Sequence, residues 1–215
     1  INYKYFQYDH VGQGARQVGS TFKPFVYATA IDRLQKSPCD MIMDSPFTIL
    51  KGDNNDKNWT PNNSDGKYRG LVSMKKALAN SINTVSARLI HEVGAPAVVE
   101  MAKNLGVTSN IPNRPAIALG AVEITVQEMV AAFSTFANEG VYIKPQLITK
   151  IEDKNGVVIY QGVEESHDVV NKDVAYSVIK LMEGVTESGT GSRLRWAASA
   201  PSNFLTGVPY NITGP

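Results

Sequence analysis

The sequence predicts an α+β fold, in which helices outnumber strands and do not alternate regularly with them. Apolar residues recur at helical spacing over the ranges 20–35, 74–80, 84–92, 95–105, 125–139 and 172–187. Residues 145–151 and 157–161 flank the dipeptide Asn155-Gly156, which is typical of a β-hairpin turn. Neither an internal repeat nor a low-complexity tract interrupts this pattern, so we expect one globular unit.

The composition is that of an ordinary globular protein with a balanced surface charge. The chain has 215 residues, enough for one domain with a continuous core, and a net charge of +1. This balance favours neither nucleic acid nor an anionic membrane surface as a partner. The single cysteine, Cys39, excludes an intramolecular disulfide, and we expect it to be a small core residue. Apolar runs fall short of the ~20 residues that span a bilayer.

The first predicted helix begins at Ser20. Before it, alternating aromatic residues over 3–8 predict a strand, which a glycine-containing loop follows. From Ser20 to about Gln35 the apolar residues suit a buried helix. Pro24 falls in its first turn, where the missing N–H of proline costs little. This pattern places Ser20 at a helix N-terminus.

The helix predicted over 125–139 carries a signal at each end. Thr125 is followed three residues later by Glu128, which is the spacing of a capping box. Gly140 suits the C-cap position. Residues 37–70 lack such patterns and are predicted to be rich in loops.

Ser20 and Lys23 form a Ser-x-x-Lys pair, which places a hydroxyl and an amine on one face of a helix. A serine hydroxyl is a poor nucleophile until a neighbouring base takes its proton. A lysine can be that base only when it is neutral, and burial lowers its pKa. The apolar neighbours Phe22 and Phe25 would supply that burial.

The Ser-x-x-Lys spacing is weak alone, because the chain contains it four times. The other copies are Ser64–Lys67, Ser73–Lys76 and Ser177–Lys180. The first lies in an Asn-rich loop, the second suits a helix N-cap beside a solvated face, and the third lies inside a helix. Only Ser20 combines a helix start with apolar neighbours on both sides of its lysine.

Ser81-Ile82-Asn83 is the second candidate element. Among the serines of the chain, only Ser81 is followed two residues later by asparagine. A hydroxyl in this position can relay a proton, and an amide can donate to a substrate carbonyl. By itself the tripeptide is more typical of a helix N-cap serine followed by a polar turn residue.

Several segments together resemble class A, bifunctional penicillin-binding proteins. They are Arg16-Gln17-Val18-Gly19-Ser20-Thr21-Phe22-Lys23-Pro24-Phe25, Asp44-Ser45-Pro46, Trp59-Thr60-Pro61-Asn62-Asn63, Leu78-Ala79-Asn80-Ser81-Ile82-Asn83-Thr84-Val85, Ala118-Leu119-Gly120-Ala121 with Glu123-Ile124-Thr125, and Phe136-Ala137-Asn138-Glu139-Gly140. The resemblance covers nearly the whole chain, and the first and fourth segments are highly specific in combination.

The resemblance implies a penicilloyl-serine transferase fold, an antiparallel sheet flanked by helices. It implies a D,D-transpeptidase that cross-links peptidoglycan stem peptides through an acyl-serine intermediate and that β-lactams acylate. Ser20 matches the nucleophile, Lys23 the base, Ser81 the relay and Asn83 the residue that holds the substrate amide. The family uses neither a metal nor an organic cofactor.

The chain departs from the family because it lacks a Lys-Thr-Gly or Lys-Ser-Gly motif. Thr190-Gly191, Thr206-Gly207 and Thr213-Gly214 are each preceded by a residue other than lysine. We therefore expect residues 1–215 to be a partial transpeptidase domain, cut before that motif. The glycosyltransferase domain and the membrane anchor of the family would precede residue 1, and the site would face the periplasmic side of the bacterial cytoplasmic membrane.

Three other functions remain open from the sequence. A serine β-lactamase shares the first two motifs but needs a residue that activates water for deacylation, and none is identifiable. A β-lactam sensor would be acylated once and signal through a flanking segment. The chain by itself could also be an inactive structural fragment.

Overall fold

The computed structural model describes residues 4–5, 7–52 and 57–198, with backbone only for 196–198. Its α-helices are α1 (Lys23–Leu34), α2 (Met74–Ala79), α3 (Asn83–Val93), α4 (Ala95–Asn104), α5 (Val126–Ala137), α6 (Lys172–Glu187) and α7 (Arg193–Ala198). Two 3₁₀ turns cover Gly19–Phe22 and Pro115–Leu119. No helix of the described ranges is both long and apolar enough to cross a membrane.

The strands are short and pair two at a time in the described part of the chain. They are β1 (Arg16–Gln17), β2 (Met41–Asp44), β3 (Gly70–Ser73), β4 (Glu123–Ile124), β5 (Val141–Ile143), β6 (Lys150–Glu152), β7 (Val158–Gln161) and β8 (Ser166–Asp168). The antiparallel pairs are β1–β4, β2–β3, β5–β8 and β6–β7. The predicted α+β class is confirmed.

Helix α1 is the centre of the core. Its first nine residues, Lys23 to Ile31, are all buried. It packs against α3, α4 and α6, while α2 packs against α6. A helix that is apolar on all sides is stable only when neighbours enclose it, so α1 places its first turn deep inside the protein.

The predicted helices are confirmed, with two differences at their ends. The helix predicted from Ser20 begins as a 3₁₀ turn and becomes α-helical at Lys23. The helix predicted to reach 139 ends at Ala137 with Asn138 as its C-cap, so the assignment of Gly140 was wrong. Gly140 has a φ of +94°, and a Cβ there would lie 2.1 Å from the Val170 carbonyl oxygen. Glycine is therefore needed at position 140 because the backbone there lies close to Val170.

Three predictions about non-helical residues need correction. The strand over 3–8 is not present in the described residues of that range, since 4–5 form a turn and 7–8 are irregular, while 1–3 and 6 lie outside the described chain. The hairpin around Asn155-Gly156 is confirmed, but its first strand starts only at Lys150. Cys39 is exposed in the connection between α1 and β2, not buried in the core.

The capping box at the start of α5 is confirmed and extends beyond the helix. The Thr125 hydroxyl accepts from the Glu128 N–H at 3.2 Å, and the Glu128 carboxylate accepts from the Thr125 N–H at 2.9 Å. The same carboxylate accepts from the N–H groups and hydroxyls of Thr108 and Ser109, each at 2.8 Å. Burial would raise the pKa of Glu128, but these hydrogen bonds outweigh it and lower the pKa from 4.5 to about 2.

We expect Glu128→Gln to destabilise the protein at neutral pH by ~2 kcal/mol, because the hydrogen bonds of a charged acceptor are lost. The depressed pKa means that the carboxylate stabilises the fold above pH 4.5 and that this contribution disappears as the pH falls towards 2. The free energy of unfolding in denaturant should therefore differ between parent and variant at pH 7 and converge at low pH.

Glu165→Gln is the matched control, since Glu165 forms an exposed ion pair with Lys144. Solvent screens such an exposed pair, so the control should change stability little at either pH. An equal loss of stability for Glu128→Gln at both pH values would contradict the assignment of the charged form.

Candidate active site

Ser20 lies in a turn that is held from a distant part of the chain. The Val18 N–H donates to the Val122 carbonyl at 3.1 Å, and the Gly19 N–H donates to the Gly120 carbonyl at 3.2 Å. Gly120 has a φ of +73°, and a Cβ on it would lie 1.8 Å from the Gly19 carbonyl oxygen. Glycine is therefore required where the 118–121 segment meets the Ser20 turn.

Lys23 is the buried partner that the sequence predicted. Its side chain lies at the first turn of α1 and is only 1% exposed, between Phe22 and Phe25, which are fully buried. Desolvation by this burial lowers the pKa of Lys23 from 10.5 to about 8. A minor fraction of the amine is consequently neutral at pH 7, where an ordinary lysine is almost entirely charged.

The structure brings Ser20, Lys23 and Ser81 into one hydrogen-bonded chain. Lys23 Nζ donates to Ser81 Oγ at 2.8 Å and to the Ser81 carbonyl oxygen at 2.7 Å. Ser81 Oγ in turn donates to Ser20 Oγ at 2.9 Å. The described path from the amine to the Ser20 hydroxyl therefore runs through Ser81, and Ser20 itself is exposed to solvent.

Ser81 reaches this position through an unusual backbone conformation. It connects α2 to α3 with a φ of +54°, in the left-handed region that non-glycine residues seldom adopt. The Ser81 and Ile82 N–H groups close the end of α2 by donating to the Leu78 and Ala77 carbonyls, both at 2.9 Å. Ile82, 2% exposed, anchors the turn in the core. The left-handed residue allows both the carbonyl and the hydroxyl of Ser81 to face Lys23.

Asn83 also faces Lys23. Its Oδ1 accepts from Lys23 Nζ at 2.7 Å, and its Nδ2 donates to the Asn62 carbonyl at 2.8 Å. A side-chain amide has two N–H donors, so one Nδ2 proton is left for a bound molecule. All four predicted site residues are thus contiguous in space.

The other Ser-x-x-Lys pairs have structural roles. Ser73 is the N-cap of α2 and accepts from the Lys76 N–H. Ser64 lies in a turn, and Ser177 lies inside α6, whose Lys180 pairs with Glu183 at 2.9 Å. The selection of Ser20 among the four pairs is therefore consistent with the structure.

Two of the Thr-Gly pairs lie outside the described residues, namely Thr206-Gly207 and Thr213-Gly214. Thr190-Gly191 belongs to the turn between α6 and α7, where the Thr190 N–H donates to the Ala79 carbonyl at 3.0 Å. It is not part of a strand, in agreement with its failure to match the family motif.

Sequence reasoning missed the residues that support Asn83. Asn63 and Asp44 are 6% and 0% exposed and lie behind the start of α3. The available signal was that Asp44 and Asn63 lie in segments 44–46 and 59–63, which contribute to the resemblance.

Comparison with known proteins identifies the family. Residues 5–202 match the penicillin-binding protein transpeptidase domain. The chain is 34% identical over 194 residues to penicillin-binding protein 1A of Aquifex aeolicus (strain VF5), covering 89% of this chain and 26% of that protein. It is 33% identical over 206 residues to penicillin-binding protein 1A of Neisseria flavescens, covering 93% and 25%. The chain thus spans about a quarter of the length of these curated relatives.

Solved structures show the same fold. Penicillin-binding protein 1A from Haemophilus influenzae superposes with a TM-score of 0.81 at 24% identity, covering 91% of this chain and 34% of that one. PonA1 from Mycobacterium tuberculosis in complex with penicillin V gives a TM-score of 0.69 at 26% identity, covering 80% and 48%. The fold and the family that the sequence implied are confirmed, and the chain belongs to the penicillin-binding protein transpeptidase domain family.

Proposed function

We propose that the protein containing this chain is a serine D,D-transpeptidase that cross-links peptidoglycan stem peptides. The observation that carries the proposal is the hydrogen-bonded chain from the buried Lys23 amine through Ser81 to Ser20. It is the arrangement that converts a serine hydroxyl into a nucleophile. The names of the relatives, penicillin-binding protein 1A, support the same activity.

In the proposed acylation, Ser20 Oγ attacks the carbonyl carbon of the D-Ala–D-Ala peptide bond. Hydroxyl groups rotate, so the contacts that connect Lys23 to Ser20 carry a proton in the opposite direction when Lys23 is neutral. The Ser20 proton passes to Ser81 Oγ as the Ser81 proton passes to Lys23 Nζ. The tetrahedral intermediate then breaks the C–N bond, and the departing amine of D-Ala takes the proton back through Ser81.

In the second half of the reaction, an amine of a neighbouring stem peptide attacks the acyl carbon. Its excess proton follows the same path, and Ser20 leaves with a proton restored to its oxygen. The free N–H of Asn83 Nδ2 would hold the amide of the donor peptide during both steps. A β-lactam ring is attacked in the same way, and its amine stays attached to the acyl group after the ring opens.

The proposed reaction needs two further groups. One is a cation that binds the substrate carboxylate, and the other is a hydrogen-bond donor to the negatively charged oxygen of the tetrahedral intermediate. In the family a Lys-Thr-Gly or Lys-Ser-Gly strand provides both, and residues 1–215 do not contain that motif. We therefore propose that residues 1–215 form one part of the transpeptidase domain, so acylation should be measured on the native full-length protein. The proposal places that protein in the bacterial cell envelope, anchored so that its site faces the periplasmic side.

We expect penicillin to acylate Ser20 alone among the residues of this chain. Mass mapping of peptides after labelling the native protein should find the adduct on Ser20, and Ser20→Ala should abolish it. Ser73→Ala is the matched control, because Ser73 has the same spacing to a lysine but caps α2. An adduct on Ser73, or one that survives Ser20→Ala, would refute the proposed nucleophile. A long-lived adduct separates a transpeptidase from a β-lactamase, which would hydrolyse it rapidly.

Lys23→Arg should lower the acylation rate by several orders of magnitude although it preserves the charge, because arginine cannot lose its proton in a protein. Stopped-flow or quenched labelling with a fluorescent penicillin measures this rate. The control is Lys76→Arg, which changes the lysine of the Ser73 pair and should leave the rate unchanged. If Lys23→Arg acylated at the parent rate, the base would be another residue.

The acylation rate should also depend on pH through Lys23. A pKa of about 8 leaves roughly a tenth of the amine neutral at pH 7 and half of it at pH 8. The rate should therefore rise about fivefold between pH 7 and 8 and level off near pH 9, because only the neutral amine accepts the proton. A rate that stays constant from pH 6.5 to 9 would exclude the titration of Lys23 as the controlling step.

A further inference from the structure

The start of α3, next to Ser81 and Asn83, is capped by a side chain from another segment of the protein. Helix α3 begins at Asn83 after Ile82, a residue whose side chain cannot accept a hydrogen bond from the first-turn N–H groups. Asn63 supplies the missing acceptor, since its Oδ1 accepts from the Asn83 N–H at 2.9 Å and from the Thr84 N–H at 3.3 Å. A residue 20 positions before Asn83 therefore supplies the capping side chain that the N-cap position of α3 lacks.

The orientation of the Asn63 amide is fixed by what lies on its other side. Asn63 Nδ2 donates to Asp44 Oδ1 at 2.7 Å and to the Lys67 carbonyl at 2.8 Å. A carboxylate and a carbonyl can only accept, so the amide nitrogen must face them. The Asn63 oxygen is left with one direction, which is towards α3.

Asp44 is held just as firmly at the end of β2. Its Oδ1 also accepts from the Thr84 hydroxyl at 2.6 Å, and its Oδ2 accepts from the Arg69 N–H at 2.9 Å, with Arg69 Nη1 at 3.5 Å. A fully buried carboxylate is costly unless it has such partners. It is also favourably placed beside the positive end of the α3 dipole.

This network ends on groups that contact the proposed base. Asn63 fixes the backbone of Asn83, while the Asn62 carbonyl fixes its side chain, whose Oδ1 accepts from Lys23. A shift at the start of α3 would therefore move Asn83 and the adjacent Ser81 away from the Lys23 amine.

We propose that Asp44 and Asn63 are positioning residues of the active site, which hold the Ser81-Ile82-Asn83 turn in register with Lys23. Neither residue contacts the reacting atoms. They act through the start of α3, by way of the Asp44–Asn63 amide contact. This inference rests on the proposed acylation at Ser20 for its effect on rate, but the cap itself is a property of the fold that can be measured separately.

Asn63→Asp tests the contact between residues 63 and 44 with almost no change of side-chain shape. It replaces the amide nitrogen that donates to Asp44 with a carboxylate oxygen, which cannot donate. Repulsion should displace residue 63 and the start of α3, and we expect the penicillin acylation rate to fall ~100-fold, the effect of a displacement of about 1 Å. The double variant Asp44→Asn/Asn63→Asp exchanges donor and acceptor. Its residue 44 donates to residue 63, whose other oxygen again accepts from α3, while the contact with the Lys67 carbonyl stays unsatisfied. The rate should therefore recover at least about tenfold over Asn63→Asp without reaching that of the parent.

Amide hydrogen exchange measures the cap without any chemistry at Ser20. In Asn63→Ala the N–H groups of Asn83 and Thr84 should exchange ~3–30-fold faster, which corresponds to the loss of an N-cap side chain. Thr48→Val is the matched control, since it removes a hydrogen bond to Thr60 in the same loop region that does not reach α3. It should change neither exchange at the start of α3 nor acylation.

The outcomes are separable. If the parent protein is not acylated, the proposed function fails, while faster exchange in Asn63→Ala still supports the cap. An acylation rate of Asn63→Asp within about threefold of the parent would overturn the positioning role, and so would a double variant that melts as the parent does without recovering the rate. If Asn63→Asp does not fold, Asn63→Ala, which removes both the cap and the contact with Asp44, provides the test, and unchanged acylation in that variant overturns the proposal.

Discussion

The Lys23 amine is buried beside the core, and the geometry of the site follows from the need to satisfy it there. Its three acceptors, Ser81 Oγ, the Ser81 carbonyl and Asn83 Oδ1, match the three N–H groups of the charged form. Burial opposes that same charge and lowers the pKa to about 8. The amine is therefore balanced between a charged state that its neighbours solvate and a neutral state that the proposed acylation requires.

Placing three acceptors at hydrogen-bond distance from the Lys23 amine requires that separate segments of the chain be held rigidly. The Ser20 turn is fixed by the 118–121 segment, where only glycine at 120 allows the approach. The Ser81 turn adopts a left-handed backbone that the ends of α2 and α3 impose. Strain of this kind costs ~1–3 kcal/mol and persists only where the surroundings determine the conformation. Here the surroundings are the core around Ile82 and the Asn63 cap.

Glu128 and Lys23 show how the same fold shifts two ionisable groups by opposite means. At Glu128, donors from three residues stabilise the charge and outweigh desolvation, so the pKa falls to about 2 and the carboxylate remains ionised. At Lys23, desolvation dominates and favours the neutral form. The first arrangement ties the loop before the 3₁₀ turn at Pro115–Leu119 to α5 and stabilises the protein. The second gives up stability at neutral pH, since a charged amine must be buried or lose its proton on folding.

The sequence by itself determined the helices and the capping box at Thr125, and it favoured Ser20 among four similar pairs. Those features depend on local spacing, and local spacing is what a linear pattern contains.

Predictions from the sequence were wrong where long-range contacts override local preference. Gly140 was predicted to end a helix, but glycine is needed there because the backbone passes close to Val170. Cys39 was predicted to lie in the core, but it lies in an exposed connection. Ser81 and Asn83 were predicted as site residues mainly through the resemblance, because their tripeptide alone is more typical of an ordinary N-cap. Tertiary structure decided that the cap of α3 comes from Asn63, some 20 residues away, and that the amine reaches Ser20 through Ser81. Hydrogen bonds between residues 20 to 60 positions apart depend on how helices and loops pack, and no periodicity in the chain encodes that distance.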